Sequence, residues 1–461
     1  MFEMFGNVAI SVLAFLVALG LLVSIHEFGH FWVARRVGIK VLRYSVGFGR
    51  AVWTRVGKVD QTEFVVAAIP LGGYVKMLDE RESPVASDEQ HRAFNRQPLW
   101  ARAAVVIAGP LANLILAFIA YWFVMMIGIS GIAPIIGDVP EGSPAARAGL
   151  ESKDKIISVN GKTTPSWQDA RLALLDASLD PNSDVKIRVK TSSDREIEKS
   201  LSTAGVNVLK ASGDPIESLG IMMWRPAVEP VVGLVTDDSA AAAAGILVGD
   251  RILAIDGNKI TLWRELVNAV QPSAGVPLTF SIQRGTEQFD LPITPNSAER
   301  DGETVGLLGV GVAQTNSITA FDATRITVRY SPLQSIGKAL DRTWDMTLFT
   351  LRMIGKLFTG QASLDNISGP ITIAQAAGVT ASVGIDHYIN FIAMISISLA
   401  VLNLLPIPML DGGHLLYFAI EAVTGKAVSE RVQIFGQQLG LLLLGGLMFL
   451  AFYNDIGRFM Q

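Results

Sequence analysis

Apolar residues in this chain gather into four runs, each long enough to cross a bilayer at about 20 residues per crossing. They extend from Val8 to Ile25 and on through His26 to Val33, from Ala103 to Ile129, from Ile389 to Leu405, and from Ile434 to Tyr453. Each predicts a membrane-spanning helix. A polar stretch of soluble-domain character separates the second run from the third. From Leu333 to Phe358 the pattern changes: Ile336, Leu340, Trp344, Leu348, Leu351 and Leu357 keep a three-to-four spacing, with Lys338, Arg342, Arg352 and Lys356 among them. That spacing predicts an amphipathic helix too charged to span. It either lies in a membrane interface or packs its stripe on the neighbouring domains.

The polar stretch repeats itself. Ser143 to Leu150 echoes Ser239 to Ile246, Asp154 to Gly161 echoes Asp250 to Gly257, and Trp167 echoes Trp263, always 96 residues on. A period of this size is a duplicated domain, since solenoid units run about 20–50 residues. Each copy places small helical residues before a strand and then an Asn-Gly or Asp-Gly turn, a strong hairpin signal. The pattern Ser-Pro-Ala-Ala…Ala-Gly-Leu, Asp-x-Ile, Val-Asn-Gly resembles bacterial PDZ domains, although Lys153 stands in the first copy where Gly249 stands in the second. The plainer reading is a pair of β-rich spacers without a ligand.

The expected fold class is therefore a multi-pass α-helical membrane protein of four transmembrane helices, with two β-rich PDZ-like domains inserted between the second and third spans. The first helix takes residues 1–33, a cytoplasmic-side loop with a membrane-associated β-hairpin 34–98, and the second helix 99–129. PDZ-like domains take 130–224 and 225–315, and the amphipathic segment 316–386. The third helix with its following loop takes 387–431, and the fourth helix 432–461.

Composition agrees: 50% of the 461 residues are hydrophobic and 17% charged, with a mean hydropathy of +0.40. A soluble chain carries about 25% charged residues, so a lipid bilayer is the expected surrounding. A net charge of −4 with no basic stripe argues against a nucleic-acid partner. The absence of cysteine removes disulfides, thiolate zinc sites and thiol catalysis together. Arg35, Arg36, Lys40, Arg43, Arg50, Arg55, Lys58 and Lys76 crowd the loop after the first run, and Lys426 and Arg431 the loop before the last. Positive loops face the cytoplasm, which puts the repeated domains and both termini on the outer side. The start, Met1-Phe2-Glu3, lacks the basic region of a cleaved signal peptide, so the first helix is expected to be retained.

Candidate chemistry begins at His26-Glu27-Phe28-Gly29-His30. On a helix, positions i and i+4 share a face, so His26 and His30 can offer two imidazole nitrogens to one metal, with Glu27 beside them as a base. Ionisable groups inside a bilayer helix need partners and mark function by default. The alternative is a pair of histidines facing water at a helix end. Far along the chain, Asn403-Leu-Leu-Pro406-Ile-Pro408-Met-Leu-Asp411-Gly412-Gly413-His414 closes the third run. The prolines break the helix, and Asp411 beyond the break suits a third ligand, although alone it reads better as a turn residue before Gly412-Gly413. Two His and one carboxylate leave a position open for water, the arrangement of catalytic zinc. A zinc transporter would need several such sites along a path, and a PDZ scaffold would need no base beside His26.

Residues Glu63 to Met77 read as a hairpin. Phe64 to Pro70 is strand-like, and Gly72-Gly73 turns the chain before Tyr74. Ile69, Gly72, Gly73 and Tyr74 are its candidate substrate contacts, lending an edge strand to an unwound peptide.

Together HEFGH and the Asn-x-x-Pro-x-Pro-x-x-Asp-Gly segment match the site-2 protease family. Pro70 to Met77, Ala108 to Asn113 and the tandem repeat are similar to its Gram-negative, sigma-E-regulating branch in the inner membrane. The resemblance implies Zn2+ held by His26, His30 and Asp411, Glu27 as catalytic base, and Asn403 near the substrate or transition state. It also implies single-pass membrane substrates: an anti-sigma factor already shed of its outer domain, and leftover signal peptides.

Overall fold

The computed structural model describes residues 2–460 apart from 181–183, 207, 209–213, 301–302, 314–323 and 365–366. The chain forms two compact units, residues 1–130 with 328–457, and residues 131–327 with 458–461.

Among the described residues of the first unit, four helices are long and apolar enough to cross a membrane: Val8–Arg36, Leu99–Ile127, Ile385–Leu404 and Glu430–Gly457. The second lies at the centre, against the first, the third and the helix Pro332–Phe358. Its approach to the first is close: a Cβ on Gly29 would stand 2.2 Å from the carbonyl oxygen of Ala108. Small residues at helix crossings let backbones meet, which accounts for the glycine within HEFGH.

Pro332–Phe358 is one helix, opened by the Ser331 hydroxyl accepting the Gln334 N–H. Ser335, Ala339 and Met346 form its buried side, whereas Leu340, Trp344 and Leu351 are exposed. The helix Pro370–Val383 is not foreseen by the apolar pattern, because its 14 residues are too few for a span. The Asp455 carboxylate caps it, accepting the N–H groups of Gly369 (2.9 Å), Ile371 (2.8 Å) and Thr372 (3.2 Å) and the Thr372 hydroxyl (2.6 Å). On its far side a Cβ at Gly378 would meet Ser11 Oγ at 2.0 Å, so this helix seats directly on the first span.

Strands Val41–Val56 and Glu63–Met77 are both bent, and each makes two passes. Residues 43–46 lie opposite 63–66 and also opposite 73–76, while 51–56 lie opposite 63–67. The hairpin expected within 63–77 is therefore not formed, because the pass 41–46 sits between its two halves. Gly47 (φ 95°), Gly49 (φ 85°) and Gly72 (φ 147°) supply the left-handed backbone at the bends. The run 73–77 becomes an edge. Tyr44 donates its hydroxyl to Ser24 O (2.7 Å), and its ring packs with Phe31 and Phe64, fixing this sheet to the first span on both sides of His26.

The second unit shows the duplication directly. One sheet runs in the order 162–163, 155–159, 184–190, 196–202, and the other 258–259, 251–255, 278–284, 287–293. Backbone hydrogen bonds repeat as well: Ile136 N to Asp154 O matches Val232 N to Asp250 O, and Ile156 N to Pro134 O matches Ile252 N to Pro230 O. Asn160-Gly161 and Asp256-Gly257 all have positive φ, as a two-residue hairpin turn requires. Lys153 takes the left-handed conformation of Gly249 (φ 72° against 97°), so the first copy keeps the backbone without the glycine. Such a side chain costs roughly 1–2 kcal/mol there. Each copy also carries a buried aspartate just past that residue. Asp154 binds Lys199, which also reaches Gly149 O, and Asp250 binds Arg284, which also reaches Gly245 O.

Candidate metal centre

The i, i+4 spacing brings His26 and His30 onto one face of the first span, both buried. Helix Ile385–Leu404 ends before Pro406, and Asp411 begins the next helix, Asp411–Thr424, after a short irregular segment. Gly412 and Gly413 allow that segment to fold tightly back: a Cβ on either would stand 2.1 Å from Leu405 O or 2.5 Å from Ile407 O. Met409 holds φ 96°, a strained value for a side-chain-bearing residue and one that clusters at functional sites. Helix Asp411–Thr424 is pinned to the second span by Arg102, which donates to both oxygens of Glu421 (2.6 and 3.2 Å).

This folding carries Asp411 to the two imidazoles across nearly 400 residues of sequence. Asp411 Oδ2 lies 3.2 Å from His26 Nε2 and 3.5 Å from His30 Nε2, and the two Nε2 atoms are 3.2 Å apart. The three side chains are the metal-competent cluster among the described residues.

Two observations fit a cation to them. Asp411 Oδ2 is buried and receives no hydrogen bond. Buried carboxylate oxygens are costly in that state, and a metal would satisfy this one. His30 Nδ1 lies 2.8 Å from the Val105 carbonyl, which can only accept, so Nδ1 holds the proton and Nε2 offers a bare lone pair. Gly109 keeps the centre clear, for its Cβ would sit 2.3 Å from His30 Nε2 and 2.8 Å from His26 Cε1.

A pocket of about 360 Å³ opens on this centre. Glu27, Asn403, Gly73 and Tyr74 line it together with His26, His30 and Asp411. Glu27, the remote asparagine and two of the four strand candidates thus share one space. Ile69 and Gly72 lie instead at the bend of the sheet, where a Gly72 Cβ would run into the Phe48 ring at 2.3 Å. His414 lines the pocket behind Asp411. The contributions of Val105 and Gly109 depend on which turn of the second span faces the histidines, and spacing within that span does not reveal it.

A sequence model of peptidase family M50 matches residues 14–447. The regulator of sigma-E protease RseP of Escherichia coli is 43% identical over 445 residues, 96% of this chain and 98% of that protein. Protease RseP of Yersinia pestis is 42% identical over 97% of this chain and 98% of its own length. A Vibrio cholerae protein, provisionally named a zinc metalloprotease, is 39% identical over 97% and 98%. Among solved structures, the PDZ domain of the SdrC-like protein of Listeria monocytogenes covers 20% of this chain at 21% identity, and its TM-score of 0.16 carries no argument.

Proposed function

The chain belongs to peptidase family M50, the site-2 proteases, and is a zinc metalloprotease; from that premise we propose that it cuts single-pass membrane proteins inside or at the edge of the bilayer. The observation that carries the proposal is the shared pocket, where Glu27, the three ligands and the edge at Gly73 meet beside helices of spanning length. His26, His30 and Asp411 would hold the zinc, which would supply Lewis acidity at this site.

Glu27 accepts a proton from the attacking water and returns it to the leaving amide nitrogen. Asn403 donates its amide N–H to the carbonyl oxygen of the scissile bond as charge gathers there. A helical substrate hides that bond in its own hydrogen bonds and must unwind first. The edge at Gly73–Met77 then offers its backbone to the extended peptide, and side-chain pockets set preference.

The names of the Escherichia coli and Salmonella typhi relatives refer to sigma-E regulation, which supports an anti-sigma factor, already cut once, as substrate. Remnant signal peptides have the same chemistry, a short apolar helix with little outside the membrane. The basic loops support an inner-membrane topology with the site toward the cytoplasm, and the repeated domains, read as PDZ-like, outside with both termini.

Cleavage of a truncated single-pass substrate by wild type and Glu27→Gln, with zinc assayed in both, tests the reading. Loss of about 100- to 10,000-fold in turnover with zinc retained is expected of a removed general base. Full activity in the glutamine variant would overturn it.

A further inference from the structure

A histidine binds metal through Nε2 only when its proton sits on Nδ1, and something must hold it there. For His30 that group is the Val105 carbonyl. For His26 the group facing Nδ1 is the side-chain amide of Asn113, 3.3 Å away on the second span. Asn113 is fully buried. Its backbone carbonyl accepts the Ser396 hydroxyl at 2.7 Å, which joins it to the third span, the helix that runs on toward Asn403.

As placed, the amide turns its NH2 toward Nδ1 and leaves its oxygen without a hydrogen bond. A donor there would make Nδ1 an acceptor and drive the proton to Nε2. That proton would then point into the space shared with Asp411 Oδ2 and His30 Nε2, where a ligand lone pair is required. Oxygen and nitrogen of an asparagine amide have nearly the same shape, and a half-turn exchanges them without moving any neighbour. One half of the amide lacks a protein partner in either orientation, but only the turned one matches an acceptor to Nδ1–H.

We infer that Asn113 is the positioning residue of the metal centre, its side-chain oxygen accepting the Nδ1–H of His26 and so presenting Nε2 to zinc. The two histidines then have equivalent support from the same helix, a carbonyl for one and an amide oxygen for the other. Asn113 touches neither metal nor peptide, and its effect passes through His26. The inference rests on the zinc reading above.

The test is zinc affinity of the full-length, detergent-solubilised protein, measured by chelator competition for wild type, Asn113→Leu and Asn113→Asp. Removing such a partner weakens zinc binding by about 10- to 100-fold, so the leucine variant should lose that much. The aspartate variant can only accept, and it should equal or exceed wild type. Should the leucine variant not fold, the aspartate variant decides alone. A 10-fold or greater loss in Asn113→Asp would mean that the NH2 faces His26, and unchanged affinity in Asn113→Leu would mean that Asn113 only packs; either overturns the inference. Wild type that bound no zinc would instead overturn the metal reading itself.

Discussion

A methyl group added at Gly73 would meet Ser45 O at 2.7 Å, and Glu27 Cγ and Val23 Cγ1 at 2.9 Å each. The glutamate is the most flexible of the three neighbours and would give way first. Gly73→Ala is therefore expected to keep its zinc and lose about 100-fold in turnover, the size of effect that a misplacement of about 1 Å produces. Single-turnover cleavage alongside metal content checks this, and unchanged turnover would show that Glu27 has room the contacts deny. A substitution at Gly73 thus reports on the base before it reports on the strand edge. The histidine pair is legible in the sequence because helical spacing alone puts residues 26 and 30 on one face. Asp411 is legible because prolines mark a break just before it. Asn113 and Gly109 are not, since their roles come from the rotation of a neighbouring helix, and tertiary packing sets that rotation.

At the level of elements, the duplicated domains solve one problem with two different keys. Burial pushes the Asp250 carboxyl up, but hydrogen bonds from Arg284 and from the Leu247 N–H outweigh it and hold the group below the usual carboxylate range. A lowered folded value contributes stability that is complete above the unfolded pKa of about 3.9 and disappears as pH falls through the folded value. Between wild type and Arg284→Met, the difference in protection of residues 251–284 against hydrogen exchange should be full at neutral pH. It should close below about pH 4. A difference that persisted undiminished at lower pH would rule out the ion pair as its source. The repeat itself could be read from small residues, turns and tryptophans at a fixed interval. Lys199 and Arg284 could not, because they do not occupy matching positions in the two copies. The bent sheet is not legible either, since alternation within 63–77 carries no information about a third pass inserted between its halves.

At the scale of the whole molecule, apolar run length marks the four helices of spanning length and hydropathy but not Pro370–Val383, whose Ile373, Ala376 and Ala377 pack in one cluster with Ala14 and Ala18 of the first span. We expect residues 131–327 to act by exclusion, keeping substrates with large outer domains from the pocket. Ala133 N and Thr324 O are hydrogen-bonded at 2.8 Å, so the two ends of this segment are adjacent and a short linker can replace it. The shortened protein should cut uncleaved substrates that the full chain spares; if those substrates stayed intact while truncated ones were still cut, exclusion would be wrong. The matched hydrogen bonds of the two copies carry one more consequence. Because each aspartate's cationic key lies within its own copy, unequal crossing-over that fused residue 153 to residue 250 would inherit Asp250 together with Arg284. The fusion would retain the backbone ladder, with Lys153 already in the required left-handed conformation. A single-domain architecture is therefore one recombination event away.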